Sequence, residues 1–189
     1  MAWCHSPDHP ELSTPAGEAR STRYHVDDIR PSAFFDGPDR APLTADSFYA
    51  VYDSMVRQAR SQTTVLEMSL DPTLTHLDST ELSIGVHITP TDSAVDSMAG
   101  LMLVAVVYED STPYVYWDGY THYIRFCARE VIGDTWGMPL TLRLGTDYDT
   151  VLTAPLGDWN RSRLGAAVFV QDTSSLRVLQ ATGIRRFTN

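Results

Sequence analysis

The first residues with ligand chemistry stand at the start of the chain, where Cys4 and His5 lie close to Asp8 and His9. Thiolate and imidazole groups are ligands that zinc prefers, but a structural zinc site needs four of them in a tetrahedron. The neighbourhood holds no second cysteine, and short motifs often match by chance. We therefore favour a solvated turn over a metal site, and we expect no metal and no other cofactor.

A second group of residues has the chemistry to bind a ligand through aromatic rings. Aromatic residues crowd around a predicted hairpin with the turn Trp117-Asp118-Gly119. Aromatic side chains offer large apolar faces on which a sugar ring can stack. This makes Tyr114, Tyr116 and Trp117 candidate ligand-binding residues for a carbohydrate. The alternative is cross-strand pairing of the same rings, which stabilises hairpins in general, and we favour it.

Patterns for calcium binding and for catalysis are weak. The run Asp147-Tyr148-Asp149 places two carboxylates on one face of a strand, but calcium takes six or more oxygen ligands. We interpret this run as a solvated edge. No serine stands in the Gly-x-Ser-x-Gly frame of a nucleophile elbow. We therefore predict no catalytic residue in this chain.

Composition limits the classes of partner. The chain has 189 residues, 43% of them hydrophobic, which is ample for a packed core. Its net charge is −10, and all 14 basic side chains are arginine. Nucleic acids and anionic membranes need clustered basic residues, so the charge argues against both partners. No apolar stretch reaches the roughly 18 residues of a membrane span, and the first residues lack the features of a secretory signal. We expect a globular, soluble chain.

The chain has two cysteines, Cys4 and Cys127, which lie far apart in the sequence. A disulfide between them is therefore not expected. Cys127 falls within a predicted continuous strand from about Tyr120 to Glu130. Free cysteine often behaves as a small buried hydrophobe, and we predict that role for Cys127.

The hydrophobic period changes near residue 62, which predicts a domain boundary between 1–61 and 62–189. In the first part, Thr14 caps and Pro15 opens a helix from Ala16 to about Tyr24. Phe34-Phe35 is predicted as part of a short buried strand. A second helix is predicted from Thr44 or Asp46 to about Ser61, since its apolar residues recur at helical spacing.

From residue 63 onward the pattern is that of short strands separated by turns, as in an antiparallel sandwich. Leu101 to Tyr108 is apolar throughout and is predicted as a central strand. About seven strands are expected, at Thr64–Leu70, Leu82–Thr89, Leu101–Tyr108, Tyr120–Glu130, Leu140–Leu144, Leu164–Gln171 and Leu176–Ala181.

Three segments carry a resemblance to a known family. The segment from Tyr24 to Gly37, YHVDDIRPSAFFDG, is similar to the thioredoxin strand that bears a characteristic, usually cis, proline, here Pro31. The C-terminal runs from Ala166 to Asp172 and from Val178 to Ala181 resemble the ending of a bacterial family of outer membranes and the cell envelope. That family joins a thioredoxin-like domain to a C-terminal β-sandwich. The resemblance implies an α+β, mainly β chain: a partial thioredoxin-like α/β segment, then an immunoglobulin-like or fibronectin-type antiparallel sandwich.

The expected function depends on which features of this family the chain shares and which it lacks. Thioredoxin-like chemistry needs a Cys-x-x-Cys pair, and none is present in the chain. The leading expectation is a non-catalytic accessory binding or structural module of the cell envelope, with a protein or glycan as partner. An alternative is a fragment of a thiol-disulfide oxidoreductase whose Cys-x-x-Cys lies upstream of Met1. In that case Arg30 and Pro31 would bind the substrate. An open sheet edge in the partial thioredoxin-like segment would also invite oligomerisation.

Overall fold

The structure, a computed structural model, describes residues 12–24, 34–35, 37–41, 48–115 and 118–187. Within them lie two α-helices and twelve β-strands, besides short 3₁₀ helices. In chain order these are α1 (Pro15–Arg23), β1 (Phe34–Phe35), β2 (Asp39–Arg40), α2 (Phe48–Arg60), β3 (Leu66–Leu77), β4 (Glu81–Pro90), β5 (Leu101–Glu109), β6 (Thr112–Val115), β7 (Thr121–Ile124), β8 (Cys127–Ile132), β9 (Met138–Leu140), β10 (Tyr148–Pro155), β11 (Leu164–Asp172) and β12 (Val178–Ile184).

A three-stranded antiparallel sheet has the order β10-β4-β3. Its central strand β4 buries Leu82, Ile84, Val86 and Ile88, the apolar set of the predicted strand Leu82–Thr89. The ladder between β3 and β4 shifts register between Asp71 and His76, so the intervening residues of β3 bulge away from the regular pairing.

A five-stranded antiparallel sheet has the order β12-β11-β5-β8, and β9 pairs with the other half of β5. Along β5, Leu103, Ala105 and Val107 belong to the same buried cluster as the three-stranded sheet, whereas Val104 and Val106 are buried on the opposite face. This sheet therefore has covered faces on both sides. The prediction of a central strand at Leu101–Tyr108 is confirmed.

The main hydrophobic core lies between the two sheets. It combines side chains of β3, β4 and β10 with side chains of β5 and β11. Its largest fully buried members include Leu66, Leu82, Ile84, Ile88, Leu101, Leu103, Leu164, Val107 and Val168. The expectation of a mainly β, antiparallel fold with few helices is confirmed. The proposed division of the chain at residue 62 falls between the end of α2 and the start of β3, and it remains a prediction.

Helix α1 begins as its sequence predicts. Thr14 is the N-cap and its side chain accepts a hydrogen bond of 3.0 Å from the N–H of Gly17, with Pro15 in the first turn. Ala16 packs against the outer face of the five-stranded sheet, the face turned away from the main core, where it meets Val104, Val106 and Val131. Helix α1 thus covers part of this face.

Arg20 fixes α1 to the same face through its buried guanidinium. The guanidinium carbon lies 5.2 Å from the ring centre of Trp136 and 5.8 Å from that of Phe169, within cation–π range. Its Nη1 donates to Gln171 Oε1 at 3.3 Å, and Gln171 Nε2 donates to the hydroxyl of Tyr24 at 2.8 Å. Burial lowers the pKa of Arg20 from its ordinary value.

Helix α2 is much less buried. Tyr49 is 83% exposed, and Tyr52 and Val56 also lie in solvent. Arg57 and Asp53 form an ion pair of 2.7 Å one turn apart along the helix surface. Among the described helices, none has the length and apolar character needed to cross a bilayer.

Several strand predictions are wrong in detail. The predicted strand Tyr120–Glu130 is two strands, β7 and β8, because Phe126 adopts a left-handed φ of 54° that interrupts the extended backbone. Leu140–Leu144 is not one strand: β9 ends at Leu140, and a turn bridged by Arg143 and Thr146 follows. Leu176, predicted to begin the last strand, has a φ of 62° and lies in the turn before β12.

Candidate functional site

The hairpin β6–β7 carries the candidate site that the sequence indicates. Its four-residue strands pair Tyr114 with His122 and Val115 with Thr121. In the turn, Asp118 Oδ1 accepts a hydrogen bond of 2.9 Å from the N–H of Tyr120, and its Oδ2 lies 3.0 Å from His122 Nε2. The hydrogen bond from Tyr120 is the main reason why the pKa of Asp118 is lowered. The predicted hairpin is thus present, and its turn is ordered by one carboxylate.

Two ion pairs anchor the base of this hairpin to the sandwich. At the end of β5, Glu109 Oε2 accepts hydrogen bonds of 3.0 and 2.8 Å from Nε and Nη2 of Arg129 in β8. The next residue, Asp110, binds Arg125 through both carboxylate oxygens, and the Nη2–Oδ2 bond measures 2.9 Å. The Asp110–Arg125 pair is thus bidentate, which is the strong form of charged hydrogen bond. Arg125 lowers the pKa of Asp110, and Asp110 raises that of Arg125.

Beyond this base, the hairpin exposes apolar side chains. Tyr120 is 73% exposed, and Tyr123 and Val115 are each 60% exposed. Tyr114 lies differently: its ring is 5.6 Å from that of His122 across the strands, tilted by 38°. Tyr114 thus has a cross-strand ring contact, but with His122 and not with another ring of the predicted aromatic cluster. Tyr120 and Tyr123 were not predicted as binding residues, although both belong to the aromatic cluster around the turn.

The other predicted site residues lie outside the described residues. These are Tyr116, Trp117, Arg30, Pro31, Cys4, His5, Asp8 and His9. Cys127 is described: it is fully buried at the start of β8, in the structural position predicted for it. Within the described ranges, no group of three or more His, Cys, Asp or Glu side chains is arranged to hold a metal ion.

A shallow groove on the outer face of the three-stranded sheet was missed by the sequence analysis. It is open to solvent and has a volume of about 630 Å³. One wall is the bulged part of β3, where Leu74 lies over Gly85 of β4. Its lining residues are Ser69, Leu70, Asp71, Pro72, Leu74, Val86, His87, Asp149, Thr150 and Val151.

His87 lines this groove and contacts two polar side chains. Its Nδ1 lies 2.7 Å from Asp149 Oδ1 on β10, and its Nε2 lies 3.1 Å from Thr89 Oγ1. An ionised carboxylate only accepts hydrogen bonds, so Nδ1 is the donor to Asp149. This bond is the main cause of the raised pKa of His87. Register explains the pairing, because Asp149 stands directly opposite His87 in the ladder.

Asp149, His87 and Thr89 are connected in the order carboxylate, imidazole and hydroxyl, as in a catalytic triad. The described residues around them form no oxyanion hole. Acyl transfer needs donors aimed at the developing oxyanion. Here the neighbouring N–H groups belong to the regular strand β4, which is paired with β3 as far as Pro90 and with β10 as far as Ile88. We interpret the three residues as a polar network on a sheet face. Asp149 lies in β10, an edge strand of the three-stranded sheet, and its side chain is exposed, as expected for the solvated edge Asp147-Tyr148-Asp149.

No protein-family model matches the chain, and no curated protein sequence matches it. Among solved structures, HBP35 of Porphyromonas gingivalis is similar with a TM-score of 0.67 and 12% sequence identity, over 97% of this chain and 61% of HBP35. A domain of the outer membrane lipoprotein Omp28 from Porphyromonas gingivalis has a TM-score of 0.48 and 11% identity, over 67% of this chain and 91% of that domain. A β-glucosidase from Kluyveromyces marxianus has a TM-score of 0.31 and 16% sequence identity, over 66% of this chain and 14% of the β-glucosidase chain.

The likeness to HBP35 covers nearly all of this chain, from the N-terminal helices to the last strand. The chain spans about three fifths of the length of HBP35. At 12% identity the likeness is one of fold, and fold by itself does not carry function. The described residues therefore form a mainly β architecture that HBP35 of Porphyromonas gingivalis shares.

Proposed function

We propose that the chain is a non-catalytic binding or structural module of the cell envelope, and that hairpin β6–β7 contacts its partner. The observation that supports this function is the exposure of Val115, Tyr120 and Tyr123 on an anchored hairpin. Tyrosine combines a large apolar ring with a polar hydroxyl and is enriched among the residues that dominate binding energy at interfaces.

The ion pairs at the base of the hairpin support the same proposal. Glu109 and Asp110 hold β8 and the end of β7 against β5 through Arg129 and Arg125. A binding surface that is already held in place loses less conformational entropy when its partner arrives. The tyrosines are thus presented on a pre-ordered support.

The envelope part of the proposal comes from the family that the C-terminal runs Ala166 to Asp172 and Val178 to Ala181 resemble. The shared fold with HBP35 over 97% of the chain adds support for an arrangement in which an N-terminal helical part precedes a sandwich. We place the chain outside the cytoplasm on this basis, with a protein or a glycan of the envelope as its partner.

We assign the finer architecture in the same way. Residues 1–61 are the partial thioredoxin-like segment, and residues 62–189 are an immunoglobulin-like or fibronectin-type sandwich. The exposed Tyr49, Tyr52 and Val56 on α2 support an α/β layer that needs further elements to cover it. This observation also favours the alternative function, part of a thiol-disulfide oxidoreductase in which Arg30 and Pro31 bind the substrate. Insulin reduction by the protein from its native source, together with its intact mass, tests that alternative.

The binding proposal is tested by co-sedimentation with two probes, peptidoglycan sacculi and outer-membrane vesicles. The test variant combines Tyr120→Ser and Tyr123→Ser, which removes both exposed rings without touching the core. We expect at least about tenfold weaker binding, since truncating a central interface aromatic commonly costs more than 1 kcal/mol. Tyr49→Ser is the matched control, because it removes an exposed tyrosine from α2 and leaves the hairpin intact.

Equal binding by the wild type and the double variant would contradict the proposed role of the hairpin. A glycan partner has a different signature: Tyr114→Ala would weaken binding, and a soluble glycan released from the sacculi would compete. That result would favour the carbohydrate-binding function of Tyr114, Tyr116 and Trp117 over a protein partner.

A further inference from the structure

The strand β10 is an edge strand of unusual regularity. It pairs with β4 through eight consecutive residue pairs with no register shift, and its other side has no partner among the described strands. The open side of such a strand presents a row of N–H and C=O groups to any chain that can pair with it. Natural sheets usually protect these edges with bulges, prolines, charges or a covering element.

Two of the other sheet edges, β3 and the edge formed by β8 and β9, carry such protection. β3 has a register shift after Asp71 and a proline at position 72, and its start is tied to β12 by the hydroxyl of Thr64, which donates to the carbonyl of Leu179 at 3.0 Å. The edge formed by β8 and β9 shifts register beside Tyr108 and contains Pro139. In both cases the regular row of backbone groups is interrupted.

β10 has none of these devices within its length. Its proline, Pro155, stands at the last position, and its one charged residue, Asp149, is bound to His87 on the neighbouring strand. Thr150, Val151 and Thr153 are β-branched residues that favour strands. Val151 is 47% exposed and stands opposite Gly85, over which Leu74 lies. The strand is therefore regular and nearly uncharged, and it is apolar at its centre.

We propose that β10 pairs antiparallel with β10 of a second copy of this chain, about a two-fold axis close to Val151. The two three-stranded sheets then form one six-stranded sheet. The sequence of β10 is complementary to itself in this arrangement. Val151 faces its own copy, and Asp149 faces Thr153, so no carboxylate stands opposite a carboxylate. Like charges directly opposite each other would destabilise such a pair.

A two-fold contact of this kind uses one surface on both copies and closes after two, so it forms a dimer rather than a filament. Each chain carries a net charge of −10, and the two copies therefore repel each other at long range. Salt screens this repulsion but leaves backbone pairing in place. The dimer becomes stronger as ionic strength rises, the reverse of an interface made of ion pairs. It does not involve hairpin β6–β7 and stands apart from the function proposed above.

The test is sedimentation equilibrium of the full chain over a wide range of concentrations, with Val151→Lys as the disrupting variant. Val151 is exposed in the monomer, so lysine is tolerated there, whereas in the dimer it places two positive charges face to face. We expect at least about tenfold weaker self-association. Ser69→Lys is the matched control: it adds the same charge to an exposed position of the same sheet, on β3. We expect it to dimerise as the wild type does.

Amide hydrogen exchange locates the contact. Exchange in Tyr148–Pro155 should slow as the wild-type concentration rises and should be independent of concentration in Val151→Lys. A wild type that is monomeric at every concentration and ionic strength would overturn the proposal. So would a dimer that survives Val151→Lys, or one whose formation leaves exchange in β10 unchanged.

Discussion

At the scale of single residues, the contact between His87 and Asp149 links stability to pH. The hydrogen bond raises the pKa of His87, and the negative charge of Asp147 acts in the same direction. A raised pKa in the folded state means that the folded protein holds the proton more firmly than the unfolded chain. The stabilising contribution is complete at pH values below the pKa of His87 in the unfolded chain, which is 6.5 for an ordinary histidine. It is lost as the pH rises through the pKa of His87 in the folded protein.

The Asp149→Asn substitution tests this linkage. We expect the pKa of His87 to fall towards its ordinary value, because an amide does not favour the imidazolium as a carboxylate does. The loss of stability relative to the wild type should be larger in mildly acidic than in mildly alkaline solution. NMR titration of the His87 ring and thermal unfolding across this pH range measure the two effects. An equal loss of stability at both ends of the range would mean that the pair does not act through its charge.

The His87–Asp149 pair also shows why the groove could not be found in the sequence. Strand alternation places His87 and Thr89 on one face of the predicted strand Leu82–Thr89, so two of the three residues of the network could be placed together from the sequence. Asp149 lies 62 positions from His87, and only the pairing of β10 with β4 brings the two together. Register between distant strands depends on tertiary packing, which local patterns do not encode. The aromatic residues, by contrast, are clustered within one short segment of the sequence, and this cluster did predict the hairpin.

At the scale of elements, strands were predictable where burial gives a strong pattern. β4, β5 and β11 have alternating or continuous apolar residues, and the predicted segments overlap them. The break inside Tyr120–Glu130 was not predictable, because Phe126 takes its left-handed conformation without the glycine or asparagine that usually marks one. Helix α1 was predictable from Thr14 and Pro15 because the capping signal is chemical and local.

A glycine between β8 and β9 gives an element-scale prediction. Gly137 has a φ of 100°, and a Cβ placed there would lie 2.4 Å from the carbonyl oxygen of Leu103 in β5. We expect Gly137→Ala to lower the free energy of unfolding by about 3 kcal/mol, since alanine meets both backbone strain and a steric clash. Denaturant unfolding with matched slopes measures the difference.

Gly145 is the control for this substitution. Its φ is 80°, but a Cβ there would have no neighbour within 4 Å. Gly145→Ala therefore isolates the cost of the left-handed conformation, about 1 kcal/mol. Similar losses for the two variants would show that the contact with β5 contributes nothing at Gly137.

At the scale of the whole molecule, the two hydrophobic clusters differ in the parts of the chain that contribute side chains to them. Among the described residues, the core between the sheets draws on positions from 65 onward, whereas the cluster on the outer face of the five-stranded sheet includes Ala16 of α1. The predicted division near residue 62 therefore separates the main core from a helix that covers one of its sheets. The change in hydrophobic period could indicate two parts of the chain, but the docking of α1 depends on long-range contacts such as Arg20 with Gln171.

A chain of residues 62–189 tests the division. We expect it to unfold cooperatively, because the core between the sheets is complete within it. Its melting temperature should be lower than that of the full chain, and it should bind a hydrophobic dye, since removal of α1 uncovers Val104, Val106 and Val131. Calorimetry and dye fluorescence measure these outcomes. A broad, non-cooperative transition would contradict the division at residue 62.

The placement of Arg20 over Trp136 has a spectroscopic consequence. Emission from an indole depends on the charges and solvent around it, and here a buried guanidinium lies 5.2 Å from the ring centre. Release of α1 would remove that charge and admit water to the ring while the strands stay paired. With Trp3, Trp117 and Trp159 replaced by phenylalanine, Trp136 is therefore an optical reporter of helix docking, and its time-resolved fluorescence separates local opening of the helix from melting of the sheets.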